Sequence, residues 1–305
     1  MCPAVAPPTD AVILSALPLA NMSVTLEPND LPPLGLAYLT TAGAHPVDQI
    51  KAAAAGGFAW VGLRLAAPIG LALDHPIAGH PKMLHAIKRA FADSGTSLLD
   101  VDALTITAST RVADFSLLLD ATAELGGRIV QVVVEDPVRP RAVAAFTALC
   151  EAAAQRSLTV ALEFMRWRAV NTIVDARRFL AESASQNGAI CVDCLHLSRS
   201  GGRPEDLIDV PAAQVAYVQL CDAPKQLPAP DQFVAEARAD RLFPGDGQLR
   251  LNDLLDQVAA DVVLSVEAPR WADRERSARE RAVLAGEATR GFLAQRHARS
   301  RAPDT

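Results

Sequence analysis

Beginning at Leu34, short apolar runs alternate with longer stretches in which apolar positions recur at helical spacing. The interval from one run to the next is roughly 25 to 45 residues, the pattern of successive strand–helix units on a parallel sheet. Residues 36–40 predict the first strand, and the helix after it opens at Pro46 and stops at Gly56 and Gly57. The second strand spans 58–65, ending near Arg64. The loop beyond it carries Pro68, Gly70, Pro76, Gly79 and Pro81 before a helix that stops at Ser94 and Gly95. The third strand, 97–106, contains Asp100 and Asp102. A helix over 112–125 closes on Gly126 and Gly127, the fourth strand, 128–134, runs into Glu135, and an Ala-rich helix over 138–156 follows. The next two strands, 158–163 and 188–193, flank a helix over 172–185 and end on Glu163 and Asp193. Residues 214–220 and 261–267 give the seventh and eighth strands, and 274–293 a terminal helix.

Eight such units in one series predict a single-domain α/β protein, a closed (β/α)8 barrel over residues 34–294 with its active site at the carboxyl ends of the strands. An open doubly wound sheet is the other arrangement of such units, but no Gly-rich phosphate loop follows the first strand. The Pro-rich residues 1–33 are expected to form a loosely ordered extension, and the Arg- and Ala-rich residues 295–305 a flexible tail. The apolar stretch 12–20 is too short to cross a bilayer and has no basic segment before it, so it makes a poor signal peptide.

A carboxylate at the end of a buried strand is costly unless it is paired, hydrogen-bonded or bound to a cation. In a barrel, Glu163, Asp193, Gln219 and Glu267 come from four consecutive strands, and side-chain alternation lets each point inward. Three carboxylates and an amide oxygen then converge, and one divalent metal ion is the simplest answer to their repulsion. An all-oxygen set suits Mn or Mg by ligand hardness, with Zn or Co as alternatives. His196, three residues past Asp193, is placed to reach a substrate oxygen at that centre, as a proton shuttle or a hydrogen-bond donor. The pattern E-x-x-R-W follows two strands, in Glu163, Arg166, Trp167 and again in Glu267, Arg270, Trp271. Indole faces stack on sugar rings and guanidinium groups take carboxylates or phosphates, which makes Arg166, Trp167 and Trp271 candidate substrate contacts. Arg199 in the Gly-rich loop after the sixth strand, and Arg241 ahead of the Pro-Gly-Asp-Gly turn at 244–247, join them.

Composition narrows the partners. Half of the residues are hydrophobic and 5% aromatic, which suits an Ala/Leu/Val-rich α/β core, and the net charge of -6 gives no electrostatic case for nucleic acid or a membrane surface. A small-molecule substrate fits better, and a homo-oligomer is left open. The five cysteines, Cys2, Cys150, Cys191, Cys194 and Cys221, are odd in number and several lie in apolar runs, which points to a reducing cytoplasm. Cys191 and Cys194 spell C-x-x-C, but residues three apart on a strand face opposite ways and do not chelate one ion.

The motifs Leu162-Glu163-Phe-Met, Val192-Asp193-Cys-Leu-His196, Val218-Gln219-Leu-Cys-Asp222, Pro244-Gly245-Asp-Gly247 and Val266-Glu267-Ala-Pro together resemble the xylose isomerase-like TIM barrels, the sugar phosphate isomerase/epimerase group, over residues 34–293. The resemblance implies a divalent metal on Glu163, Asp193, Gln219 and Glu267, substrate contacts at His196 and Arg241, and the two glutamates as an acid/base pair. Ketose 3-epimerases of this kind usually carry histidine where Gln219 stands. Glutamine there is similar to bacterial 3-dehydroshikimate dehydratases, whose further histidine after the first glutamate is replaced here by Arg166. The expectation is a cytoplasmic, metal-dependent sugar or cyclitol isomerase/epimerase, with a dehydratase and a non-catalytic ligand-binding barrel as alternatives. The apurinic endonucleases of the same group use several zinc ions and many histidines, and the six mostly scattered histidines here do not fit them.

Overall fold

A computed structural model describes residues 31–67 and 72–300. Eight parallel strands close into a barrel in strict chain order. They are β1 (Leu34–Leu36), β2 (Trp60–Arg64), β3 (Ser97–Ile106), β4 (Ile129–Val134), β5 (Thr159–Glu163), β6 (Gly188–Asp193), β7 (Val215–Leu220) and β8 (Leu264–Val266). The seam closes where Leu34, Gly35 and Leu36 register against Leu264, Ser265 and Val266. The helices used below are α1 (Pro46–Ala55), α2 (Pro81–Ser94), α3 (Ser116–Glu124), α4 (Arg139–Ala154), α5 (Ile173–Ser183), α6 (Cys194–Arg199), α7 (Phe233–Ala239), α8 (Leu251–Leu255) and α9 (Ala278–Ser300). The barrel predicted from the repeat is the barrel found. None of the helices among the described residues is long and apolar enough to cross a membrane.

Two apolar layers hold the barrel. Outward-facing strand residues such as Val61, Leu63, Val130, Val132, Val160, Leu162, Ile190, Val192 and Val218 pack against the helices in one continuous core. Inside, a smaller cluster of Trp60, Leu99, Ile129, Ala161, Ala189, Cys191, Ala216 and Tyr217 fills the barrel. A plugged interior leaves one end for chemistry, the carboxyl ends of the strands. The ring of helices closes where α1 meets α9. A Cβ added to Gly286 would lie 2.2 Å from the Gly56 carbonyl oxygen, so this contact requires glycine.

Three boundaries differ from those expected. β1 ends at Leu36, and Tyr38–Thr41 forms a 3-10 turn instead of strand. The Thr40 hydroxyl donates to Val266 O (2.7 Å) and accepts from Ala268 N (3.0 Å), so a side chain takes over where the strand ladder stops. β8 begins only at Leu264, because Val262 N turns back to Ala259 O at 3.1 Å. The terminal helix starts at Ala278 behind a Ser277–Glu280 capping pair and runs to Ser300, past the expected tail boundary at 295. The expected extension at 1–33 lies almost wholly outside the described residues, as do Pro68, Gly70 and residues 301–305.

Candidate active site

The four strand-end residues anticipated as ligands lie at one end of the barrel, and of the three carboxylates Glu163 and Asp193, but not Glu267, join His196 in one group close enough to share an ion. Glu163 closes β5, Asp193 closes β6, Gln219 is the penultimate residue of β7, and Glu267 follows β8 directly. All four are buried. Gln219 Nε2 donates to Glu267 Oε1 at 3.0 Å, and its Oε1 accepts from the Cys191 thiol at 3.3 Å. Ligand atoms of Glu163, Asp193 and His196 lie within 4.8 Å of one another.

Asp193 has two further tasks that follow from its place in the chain. Helix α6 starts at the next residue, and Asp193 Oδ1 caps it by accepting from His196 N at 2.9 Å. Its Oδ2 accepts from Arg241 Nη1 at 2.6 Å. The cap explains why His196 comes three residues later: the first turn of α6 returns its side chain to the same spot. His196 Nε2 lies 3.7 Å from Glu163 Oε1, and Trp167 packs edge-on against the imidazole at 5.2 Å. Glu163 Oε1 and His196 Nδ1 are buried with no hydrogen-bond partner among the described residues. A buried carboxylate oxygen left open 3.7 Å from an imidazole nitrogen is what a cation or substrate site leaves behind.

Arg241 is drawn into this centre by an extended return segment. Leu242 exchanges two backbone hydrogen bonds with Asp222, and Arg241 N bonds to Pro269 O at 3.1 Å. The Pro-Gly-Asp-Gly turn behind it is pinned by the Asp222 carboxylate, which accepts from Ala223, Gly245 and Leu249 backbone N–H groups. A Cβ on Gly247 would lie 2.4 Å from Asp222 Oδ1, which accounts for the second glycine of the motif. Arg241 Nη2 reaches Glu267 Oε2 at 3.0 Å, so one guanidinium bridges Asp193 and Glu267.

One buried cation among three buried carboxylates leaves an imbalance, and the protonation preferences record it. Desolvation, with the charges of Glu267 and Asp193 added, holds Glu163 well above the usual carboxylate range. Burial also pushes Glu267 up to about 8, with adjoining Arg241 unable to offset it. Burial alone would raise Asp193 too, but the Arg241 charge and the neighbouring hydrogen bonds hold it below the ordinary value. His196 is lowered by burial to about 4 and is a neutral imidazole at pH 7. An oxygen-rich set whose acids await a counter-charge fits a divalent metal ion, with the neutral imidazole beside it.

The remaining anticipated residues divide. Arg166 is an exposed side chain at the rim, stacked on Phe233 and bonded to the Arg199 carbonyl at 2.9 Å. Arg199 is buried and gives Nε and Nη2 to the two oxygens of Glu236, at 2.8 and 2.6 Å, bracing α6 against α7. Trp271 is 63% exposed with Arg274 stacked on it, so the repeated E-x-x-R-W pattern brings only Trp167 to the imidazole. Two ion pairs at strand ends escaped the sequence. Arg64 at the end of β2 gives Nε and Nη2 to Asp102 of β3 at 3.1 and 2.6 Å, and lies over the Tyr38 ring. Arg168, in the loop after β5, pairs with Glu135 at the end of β4. Arg64 and Glu135 were visible as strand-terminal charges and Asp102 as an acid within the third strand, but their pairing was not.

Residues 50–285 match the family model for the xylose isomerase-like TIM barrel. Over 113 residues the chain is 34% identical to a 3-dehydroshikimate dehydratase of Pseudomonas aeruginosa; the matched part is 37% of this chain and 17% of that protein. Among solved structures, the IOLI protein with a binding zinc atom superposes with a TM-score of 0.72 at 19% identity, covering 86% of this chain and 98% of that one. A xylose isomerase-like TIM barrel/4-hydroxyphenylpyruvate dioxygenase fusion protein gives 0.70 at 21%, covering 88% of this chain and 45% of the fusion. The 3-keto-D-glucoside 4-epimerase of E. coli gives 0.61 at 17%, covering 88% and 99%. The fold is thus shared with a 3-keto-D-glucoside 4-epimerase, and a stretch of the sequence with a 3-dehydroshikimate dehydratase.

Proposed function

Because the chain belongs to the xylose isomerase-like TIM barrel family, we propose that it is a divalent-metal-dependent isomerase or epimerase of a sugar, sugar derivative or cyclitol. The observation that carries this reading is the pair of buried glutamates, Glu163 and Glu267, at one barrel mouth and both held above the ordinary carboxylate range. Two carboxyl groups buried at one mouth, one of them raised to about 8, are placed to take up and return a substrate proton.

Glu163, Asp193, Gln219 and Glu267 would hold the ion, Gln219 turning its amide oxygen inward, with His196 adjacent. Bound there, a divalent ion supplies Lewis-acid polarisation of a substrate carbonyl. One glutamate takes the proton from the carbon beside that carbonyl, the C–H electron pair moves into the new C=C bond, and the C=O π pair moves onto the oxygen, giving an enediolate. The other glutamate delivers a proton to the opposite face, or to the neighbouring carbon, giving the epimer or the isomer. Arg241 holds Asp193 and Glu267 in place and carries the compensating charge. His196, neutral, offers a ring N–H to a substrate hydroxyl.

Dehydration is the second reading, favoured by the 34% identity to the dehydratase segment. Its first step is the same proton abstraction. It then differs in that the hydroxyl on the next carbon leaves as water.

The test is the metal content of purified protein, with incubation in deuterated solvent with keto-sugars and 3-dehydroshikimate, read by mass. Stoichiometric metal and deuterium in an isomeric product support the isomerase reading. Loss of water transfers the assignment to the lyase. Protein that takes up no divalent metal contradicts both.

A further inference from the structure

Three of the four residues at the carboxylate centre lie inside the strand ladder. Glu163 registers against Cys191, and Asp193 against Gln219, so neighbouring strands fix their backbones. Glu267 stands outside it. β8 ends at Val266, registered against Leu36 of β1 and Leu220 of β7, and Glu267 is the next residue. On the β7 side its N–H still reaches Leu220 O at 3.1 Å. On the β1 side the last backbone bond runs from Ala37 N to Val266 O at 3.0 Å, and the chain then turns away into Tyr38–Thr41.

Thr40 fills that gap. It is buried, and its hydroxyl donates to Val266 O at 2.7 Å and accepts from Ala268 N at 3.0 Å. Val266 O belongs to the peptide group before the Glu267 Cα and Ala268 N to the one after it, so a single oxygen grips both. The turn that carries Thr40 is anchored from two helices. Gln49 of α1 gives Nε2 to the Thr41 carbonyl and hydroxyl oxygens at 3.3 and 3.2 Å, and Arg281 of α9 gives both Nη groups to Ala42 O at 3.3 Å. At the far end of the Glu267 side chain, Gln219 Nε2 and Arg241 Nη2 each stand 3.0 Å from a carboxylate oxygen. Those two donors steer the head of the side chain, and Thr40 sets where its root stands. Three registered pairs below this point already close the β1–β8 seam, so closure of the barrel does not call for the hydroxyl. A reacting group has to be held to within about 0.5 Å, and a strand end with a buried, unpaired N–H does not hold one.

We propose that Thr40 is a positioning residue for Glu267: by bridging the two peptide groups that flank it, the Thr40 hydroxyl fixes the Glu267 carboxylate at the centre. Thr40 acts through Glu267 and through no other member of the site. The inference rests on the reading of Glu267 as a metal ligand and proton carrier, and it adds the residue on which that placement depends.

A double-mutant cycle tests it. Affinity for Mn²⁺ or Zn²⁺, whichever the wild type binds tighter, is measured by calorimetry on folded protein for Thr40→Val and Thr40→Ser, each with and without Glu267→Gln. Valine keeps the branched shape and removes the hydroxyl, whereas serine keeps the hydroxyl. The expected result is a loss of about tenfold or more for Thr40→Val, with Thr40→Ser within about threefold of the wild type. Added to Glu267→Gln, Thr40→Val should cost nothing further, because the group it positions is already gone. Wild-type affinity in Thr40→Val overturns the proposal, as does an equal loss in Thr40→Ser, or the same loss from Thr40→Val in the Glu267→Gln background. If Thr40→Val does not fold, Thr40→Ala takes its place in the cycle, and failure of both to fold overturns the proposal by making Thr40 a residue of folding and not of position. Glu267→Gln binding metal as tightly as the wild type faults the reading of the carboxylate centre itself, and this proposal with it.

Discussion

Asp100→Asn removes a charge that the barrel interior has no good way to hold. Asp100 is buried on β3, with Oδ2 accepting from the Tyr217 hydroxyl at 3.3 Å and Oδ1 without a partner. Gly62 makes room for it, since a Cβ there would lie 2.7 Å from Asp100 Oδ1. Desolvation, helped by the Asp102 charge, raises its pKa from 3.8 to about 7. A carboxyl raised on folding binds its proton more tightly in the native state, so stability is greatest below the unfolded value and falls as pH rises towards the folded one. Three pH units at about 1.4 kcal/mol each set an upper bound of roughly 4 kcal/mol lost above neutrality. The amide variant keeps an acceptor for Tyr217 and cannot ionise. Its own desolvation cost does not depend on pH and cancels in a comparison between two pH values. Urea unfolding of metal-free protein at about pH 4.5 and about pH 8.5 is the assay. The variant should gain about 2 to 4 kcal/mol on the wild type between those conditions. Parallel pH profiles for the two proteins would refute the argument.

Metal uptake should depend on pH with the opposite sense, because Glu267, at about 8, and Glu163, held above the usual range, must lose protons to bind a cation. Competition with a chelator should show affinity rising by about tenfold per pH unit for each proton released, so between about tenfold and about a hundredfold per unit from about pH 6 to about pH 8, and a flat profile would contradict it. Arg199→Met should cost about 3 to 5 kcal/mol in chemical unfolding by leaving Glu236 buried and unpaired, and a loss under about 1 kcal/mol would show that this brace is not needed. Gly286→Ala should lower the melting temperature by several degrees as a Cβ meets the Gly56 carbonyl, a loss of about 1 to 3 kcal/mol that an unchanged transition would disprove.

The architecture was legible because parallel strands buried on both faces read as apolar runs, and eight of them in series leave little else to build. The strand-end carboxylates were legible for the same reason: Glu163 and Asp193 interrupt apolar runs at the point where a barrel opens. Pairings across long separations were not. Nothing local to Arg199 indicates that Glu236, 37 residues on and on a seven-residue helix, takes the Nε and Nη2 edge of its guanidinium. Arg168 meets Glu135 through a loop whose shape is set by backbone bonds to β4, and no periodicity encodes a loop. The short β1 was missed because Thr40 substitutes its hydroxyl for the ladder, which a β-branched residue in an apolar run conceals.

The central claim is that Glu163 and Glu267 move a proton beside a carbonyl. Solvent deuterium exchange into the carbon next to that carbonyl, measured for the wild type and for Glu267→Gln with metal bound to both, tests it most directly. The account predicts wash-in by the wild type and a fall of at least about a hundredfold in the variant. Equal exchange by the two proteins would contradict it.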